Sequence, residues 1–243
     1  MKQRQFVAIA CGMLVALAAA RAEAQVKQAA IDADGRSRLA GWPLTKGVPS
    51  SFDVGGVKLG MTPSEAVEVA RARGLKIEGH RTDNPSFEER VVQQMDLLRG
   101  KTVPMAPSYT HTRGLYFADN SGSTWSIEFE PTPAGQEAVQ IKYRSPLAGR
   151  TSQQIVNALE AKFGPASNKS KVEPAFFSFS WCKDARGMDC SLYAPETTLT
   201  AMAEANQFVL ILKRGAPEVR KLDGLARATA EKRMAASPAA NSF

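Results

Sequence analysis

Histidine and cysteine are nearly missing from this chain of 243 residues, which holds two of the first and three of the second. A zinc site gathers three or four His, Cys or carboxylate ligands at short spacing, and neither His80 nor His111 has such company. No metal and no other cofactor is expected. The GxSxG elbow and the HExxH helix are absent, as are the Walker loop and the dinucleotide fingerprint. Gly55, Gly56 and Gly60 cluster, but without the GxGxxG spacing. Long apolar runs are also scarce. The longest, Phe6 to Ala20, has fifteen residues, short of the roughly 20 that cross a hydrocarbon core.

That run is the first thing the sequence does contain. Lys2 and Arg4 precede it without an acid, and Ala22-Glu23-Ala24 follows with a small-x-small pattern. Together they predict a cleavable signal peptide over residues 1–24, a cut before Gln25, and a mature protein that is periplasmic or secreted. An uncleaved N-terminal anchor is the alternative. Ala8-Ile9-Ala10-Cys11 loosely matches a lipid-attachment box, but the apolar run continues nine residues past Cys11, which argues against lipidation. No transmembrane segment is expected after cleavage.

Charge is unevenly spread. The whole chain carries +7, and loss of residues 1–24 leaves +5. Residues 213–243 account for +4 of that, so the body from 25 to 212 is nearly neutral at +1. The basic balance therefore belongs to a tail, and it does not predict nucleic acid as a partner. Val219, Leu222, Leu225, Ala226, Thr229 and Met234 form a rough helical stripe over 217–236. Such a basic amphipathic helix can lie on an anionic membrane surface; docking on its own domain is the competing reading.

Cys182 and Cys190 survive processing, with seven residues between them. In an oxidising compartment the pair predicts one disulfide clamping the mouth of a loop. Closing so short a loop stabilises a fold by about 2–3 kcal/mol. A redox-active pair would want CxxC-like spacing.

Along the chain, residues 25–50 read as a polar, flexible leader, from which Trp42 and Leu44 tuck onto the body. Thr62-Pro63-Ser64-Glu65 is a capping box with proline at the first helical position, predicting a helix over 63–73 that stops at Gly74. Leu75 to Arg81 alternates as a strand. Ser86 and Glu89 cap a second helix, about 86–99. Three strand-like runs follow, 109–118, 124–130 and 137–144. Then Gly149-Arg-Thr151-Ser-Gln-Gln154 repeats the pattern of Gly60 to Glu65, opening a helix that ends at Gly164-Pro165. Strands are expected again at 175–182, 190–194, 197–203 and 207–213. The fold class is α+β, with helices on one face of a mainly antiparallel sheet. Units 51–145 and 146–216 are either tandem repeats or chance copies of a common cap, ahead of a basic helix and tail over 217–243.

Candidate chemistry is thin. Glu128 and Glu130 share one face of a strand, as a glycosidase pair would, but an ordinary solvated sheet face gives the same pattern. His111, within Tyr109 to Arg113, is the imidazole to test, against an exposed strand residue. Phe176, Phe177, Phe179 and Trp181 supply either a binding surface or core. No residue is assigned as catalytic.

Residues 52–70 (FDVGGVKLGMTPSEAVEVA) and 147–167 (LAGRTSQQIVNALEAKFGPAS) resemble exported bacterial envelope proteins of unknown function with a GVxLGM(S/T) segment. They also resemble outer-membrane-assembly lipoproteins of the SmpA/OmlA type and the β-lactamase-inhibitor-like fold. The resemblance implies a helix-on-sheet module that binds other proteins without a cofactor. Gln25 rather than cysteine would open the mature chain, so the lipid anchor does not carry over, and no binding residue does. The expected function is a non-enzymatic protein-binding module whose partner is another envelope protein. The alternatives are an exported hydrolase of unrecognised type and a peripheral membrane binder using residues 217–236.

Overall fold

Three side-chain-capped helix starts organise the chain, and all three form as the sequence predicts. In a computed structural model, which describes residues 48–103, 109–169, 177–182, 196–204 and 206–236, Thr62, Ser86 and Thr151 each accept from the backbone N–H three residues on. Glu65, Glu89 and Gln154 reach back to the cap N–H in return. The helices they open are α1 (Pro63–Ala72), α2 (Phe87–Leu98) and α3 (Ser152–Phe163). A fourth, α4 (Ala216–Ala236), follows the last strand. The expected signal peptide, Trp42, Leu44, Phe176, Cys190 and the 190–194 strand lie outside the described residues.

The strands are β1 (Asp53–Val54), β2 (Val57–Lys58), β3 (Lys76–Arg81), β4 (Gly114–Ala118), β5 (Thr124–Thr132), β6 (Gly135–Pro146), β7 (Asn168–Lys169), β8 (Ser178–Trp181), β9 (Thr198–Glu204) and β10 (Gln207–Lys213). β1 and β2 form a small hairpin, and the other eight make one antiparallel sheet in the order β3-β4-β5-β6-β10-β9-β8-β7. Each half is a four-strand meander preceded by a capped helix, and the halves meet through their last strands, β6 and β10. That symmetry is what a tandem repeat would produce. β4 starts later than the 109–118 run suggested, because His111 makes only an isolated bridge to Asn84.

Side chains paired across a sheet share its face, so the registers sort the core. On the first face Trp125 lies opposite Tyr143, Ile127 opposite Ile141, and these continue to Leu210, Leu212, Ala201, Leu199, Phe179 and Trp181. Every one of these is buried. α3 covers this face with Ile155, Val156, Leu159 and Phe163. The Phe163 ring sits 4.9 Å from Phe52 and 5.9 Å from Trp181. The Trp181 indole donates to the Gly164 carbonyl at 2.9 Å, so the aromatic run from Phe177 to Trp181 is core. Gly55, in the β1–β2 turn, lies flat on Trp125. A buried ion pair, Lys162 to Asp53 at 3.0 Å, ties that turn to α3.

A second, smaller core joins α2 to α4, where Val91, Ala226 and Ala230 are buried with Phe87 and Met95 against them. Helix α4 is thus docked on α2 through Ala226 and Ala230, whereas Leu225 of the predicted stripe stays exposed. No helix among the described residues is long and apolar enough to cross a membrane.

Candidate functional site

The second face of the sheet follows from the same registers and reads as three rows. The first runs Lys76, Ala118, Thr124, Arg144, Val209, Met202, Ser178; the second Gly79, Tyr116, Ser126, Lys142, Ile211, Thr200, Ser180; the third Arg81, Gly114, Glu128, Gln140, Lys213, Thr198. Toward β8, β9 and most of β10 this face is closed: Val209, Ile211, Thr200 and Ser180 are all buried, and Lys213 at the end of β10 is half-buried beside the open part. Over β3 to β6 it is open, with Lys76, Thr124, Glu128 and Arg144 exposed and Tyr116, Ser126, Gln140 and Lys142 half-buried.

The open part is cationic and low-walled. Among the described residues Lys76, Lys142, Arg144 and Lys213 enter no ion pair. Arg81 is held by the Tyr116 hydroxyl and then by Asp83, which together raise its pKa. The same guanidinium keeps the Asp83 carboxyl below its usual range. Gly79, Gly114, Ala118 and Ser126 add almost no height between these groups. At Gly79 the space is already filled by the Tyr116 ring, 3.2 Å from where a Cβ would stand.

One end of this face is walled by α2 and α4. Glu130 and Glu137, which the pleat places on the open side, are taken by Arg90 at 2.6 Å and Arg214 at 3.3 Å. Arg90 also donates to Asp223 of α4 at 2.6 Å, making it the hub of strand, helix and helix. Beside it a cleft of about 330 Å³ is lined by Pro85, Arg90, Gln93, Gln94, Tyr109 and Asp223. Its polar groups are largely turned to one another, Gln93 donating to the Tyr109 hydroxyl and Arg90 to Asp223.

The residues singled out in the sequence are scattered. Glu128 is exposed while Glu130 is neutralised by Arg90, so the two do not act as a pair. His111 Nδ1 lies 3.8 Å from Glu89, both about half exposed. Glu89 is committed to capping α2, and the Ser86 backbone N–H holds its carboxyl below the usual range. His80 bonds the Thr112 hydroxyl at 2.8 Å on the surface. Among the described residues no three His, Cys, Asp or Glu side chains gather as a metal site. Cys182 is buried just after β8; its expected partner Cys190 lies outside the described residues, and the bridge between them stays a proposal. The Arg90 hub was not visible in the sequence, since its partners lie 40 and 133 residues away and no local spacing announces them. No known protein family, no curated protein and no solved structure matches the chain.

Proposed function

We propose that this chain is a non-enzymatic, exported protein-binding module of the cell envelope, and that the open β3–β6 part of the second sheet face is its docking surface. The observation that carries this reading is the asymmetry of the sheet. One face is clad by α3 and the β1–β2 turn, whereas the other offers exposed polar side chains over four strands to anything that fits them. The export signal over residues 1–24 and the Cys182–Cys190 bridge fit a periplasmic or secreted location.

The test is in-cell photo-cross-linking from Ser126, at the centre of the face, with Glu68 on α1 as the control position. One specific, saturable envelope protein captured from Ser126 and not from Glu68 is the expected result. Equal capture from both positions, or none from either, would overturn it. The nearness of His111 to Glu89 favours a second reading, an exported hydrolase, which requires a turnover that His111→Ala abolishes.

A further inference from the structure

We infer that the partner presents an extended acidic segment to this face, with its carboxylates seated on Lys142, Arg144, Lys213 and Lys76; this rests on the docking-surface reading above. Four features point to it. The first is charge segregation. The body is close to neutral in sequence, yet the three open rows gather Lys76, Arg81, Lys142, Arg144 and Lys213 against Glu128 alone. Acids such as Glu65, Glu88, Glu89, Glu218 and Asp223 stand on helices or their caps, most of them already engaged. The second is that four of these cations have no ion-pair partner among the described residues, so an incoming carboxylate displaces nothing.

The third feature is spacing. Lys142 and Arg144 are alternate residues of one strand, about 6.8 Å apart along it, which is also the repeat of alternate side chains in any extended chain. An extended segment lying along β6 with acids at positions i and i+2 therefore meets both cations in register. Lys213 lies one row further on, beside Gln140 on the neighbouring strand, and can take a third. The fourth is the floor. Ala118 and Ser126 let a backbone approach closely, and the Thr124, Ser126 and Tyr116 hydroxyls supply hydrogen bonds without adding charge.

Two other anionic partners fit less well. A membrane surface rewards exposed apolar side chains that insert, and the exposed ones here lie elsewhere: Val92, Leu97 and Leu98 on α2, Leu225 on α4, and Ile77 on the opposite sheet face, paired with Phe117. A nucleic acid rewards a long basic track, and this patch ends at the Glu130 and Glu137 wall.

The experiment uses the chain over residues 25–243 and three probes: a synthetic peptide with Asp and Glu at alternate positions, phosphatidylglycerol vesicles, and single-stranded DNA. The peptide's Asn/Gln counterpart is the neutral control. The acidic peptide is expected to bind with NMR shift changes confined to β3, β4, β5, β6 and β10, and to weaken steeply with salt. Lys142→Glu with Arg144→Glu should reduce its affinity at least tenfold. Arg220→Glu with Lys221→Glu, equally basic positions exposed on α4, should leave it unchanged. Lys142→Ser with Arg144→Ser gives the same comparison without charge reversal should the first pair misfold. Equal losses from the β6 and α4 pairs, or binding to vesicles or DNA in preference to the peptide, would overturn the inference. A partner still captured at Ser126 from the Lys142→Glu, Arg144→Glu chain would overturn the acidic segment and leave the docking surface standing. Failure of the Ser126 cross-link would remove both.

Discussion

At the scale of single residues, Gly55 and Lys162 bear the clearest constraints. Gly55 has φ +66°, a left-handed conformation, and a Cβ there would stand 2.7 Å from the Trp125 indole nitrogen. That nitrogen is buried with no hydrogen-bond partner among the described residues, sealed under the turn. Gly55→Ala combines left-handed strain of about 1–2 kcal/mol with a clash against a ring that cannot retreat. A fall in unfolding free energy of about 2–4 kcal/mol in urea titration is the expected outcome. Lys162 is almost wholly enclosed, and burial lowers its pKa from 10.5 to about 8, with Asp53 opposing the shift and Arg73 adding to it. Between about pH 8 and 10.5 the unfolded chain thus holds a proton at Lys162 that the folded chain has released. The unfolded state binds more protons there, so this residue's contribution to stability rises with pH across that window. Urea midpoints of the native chain relative to Lys162→Met should drift upward from pH 7.5 to 10.5; a flat difference would refute the assignment. Lys162→Met alone removes the cation 3.0 Å from the buried Asp53 carboxylate, at a cost of about 3–5 kcal/mol. Adding Asp53→Asn should recover much of that loss, since the asparagine oxygen can still accept from Gly56 N–H as Asp53 does at 2.8 Å.

At the scale of elements, what could be read beforehand was what local chemistry decides. A capping box is complete within four residues, so α1, α2 and α3 were legible to within a residue or two. β10 and the alternation of Trp125, Ile127 and Phe129 in β5 were equally plain. What failed depended on distant partners. Leu75, Ile77 and Gly79 read as one face of a half-buried strand, but β3 is a sheet edge where Ile77 stays about half exposed and a bulge breaks the register before Gly79. Likewise the stripe on α4 announced a buried side without naming what buries it. Its dock on α2 is modest: two alanines and Val91, with the Arg90–Asp223 and Arg233–Glu88 pairs at its margin. Pairs so open to water add little to stability. Ala230→Asp should therefore release α4 locally. Faster amide exchange confined to α4 and α2, with β5, β6 and β10 still protected, is the expected result; loss of protection throughout would show that the helix pair and the sheet unfold together.

At the scale of the whole molecule, Gly60-x-Thr62 and Gly149-x-Thr151 occupy corresponding places in the two halves of the sheet order. Each copy opens a helix followed by a four-strand meander, although the first half carries α2 between β3 and β4 and the second carries α4 after β10. The strand order itself was illegible, because pairing β6 with β10 is a non-local choice that no window of sequence contains. The proposed docking face was illegible for the same reason: Lys142 and Arg144 look like ordinary solvated strand residues until the registers place them in successive rows with Lys213 opposite Gln140. The proposed Cys182–Cys190 bridge predicts that intact mass after alkylation will differ between reduced and unreduced protein, and that reduction will cost about 2–3 kcal/mol.

The β6–β10 seam has a consequence for how the chain is made. The centre of the sheet is its last part to be synthesised, since β6 ends at Pro146 and its neighbour begins only at Gln207. Until β10 arrives the first meander carries a twelve-residue strand with one edge unsatisfied, a template for pairing with other chains. Closure across so wide a sequence separation is slow. A nascent chain halted before Gln207 is therefore at its most adhesive, and this molecule gains its safety from self-association in a single late step.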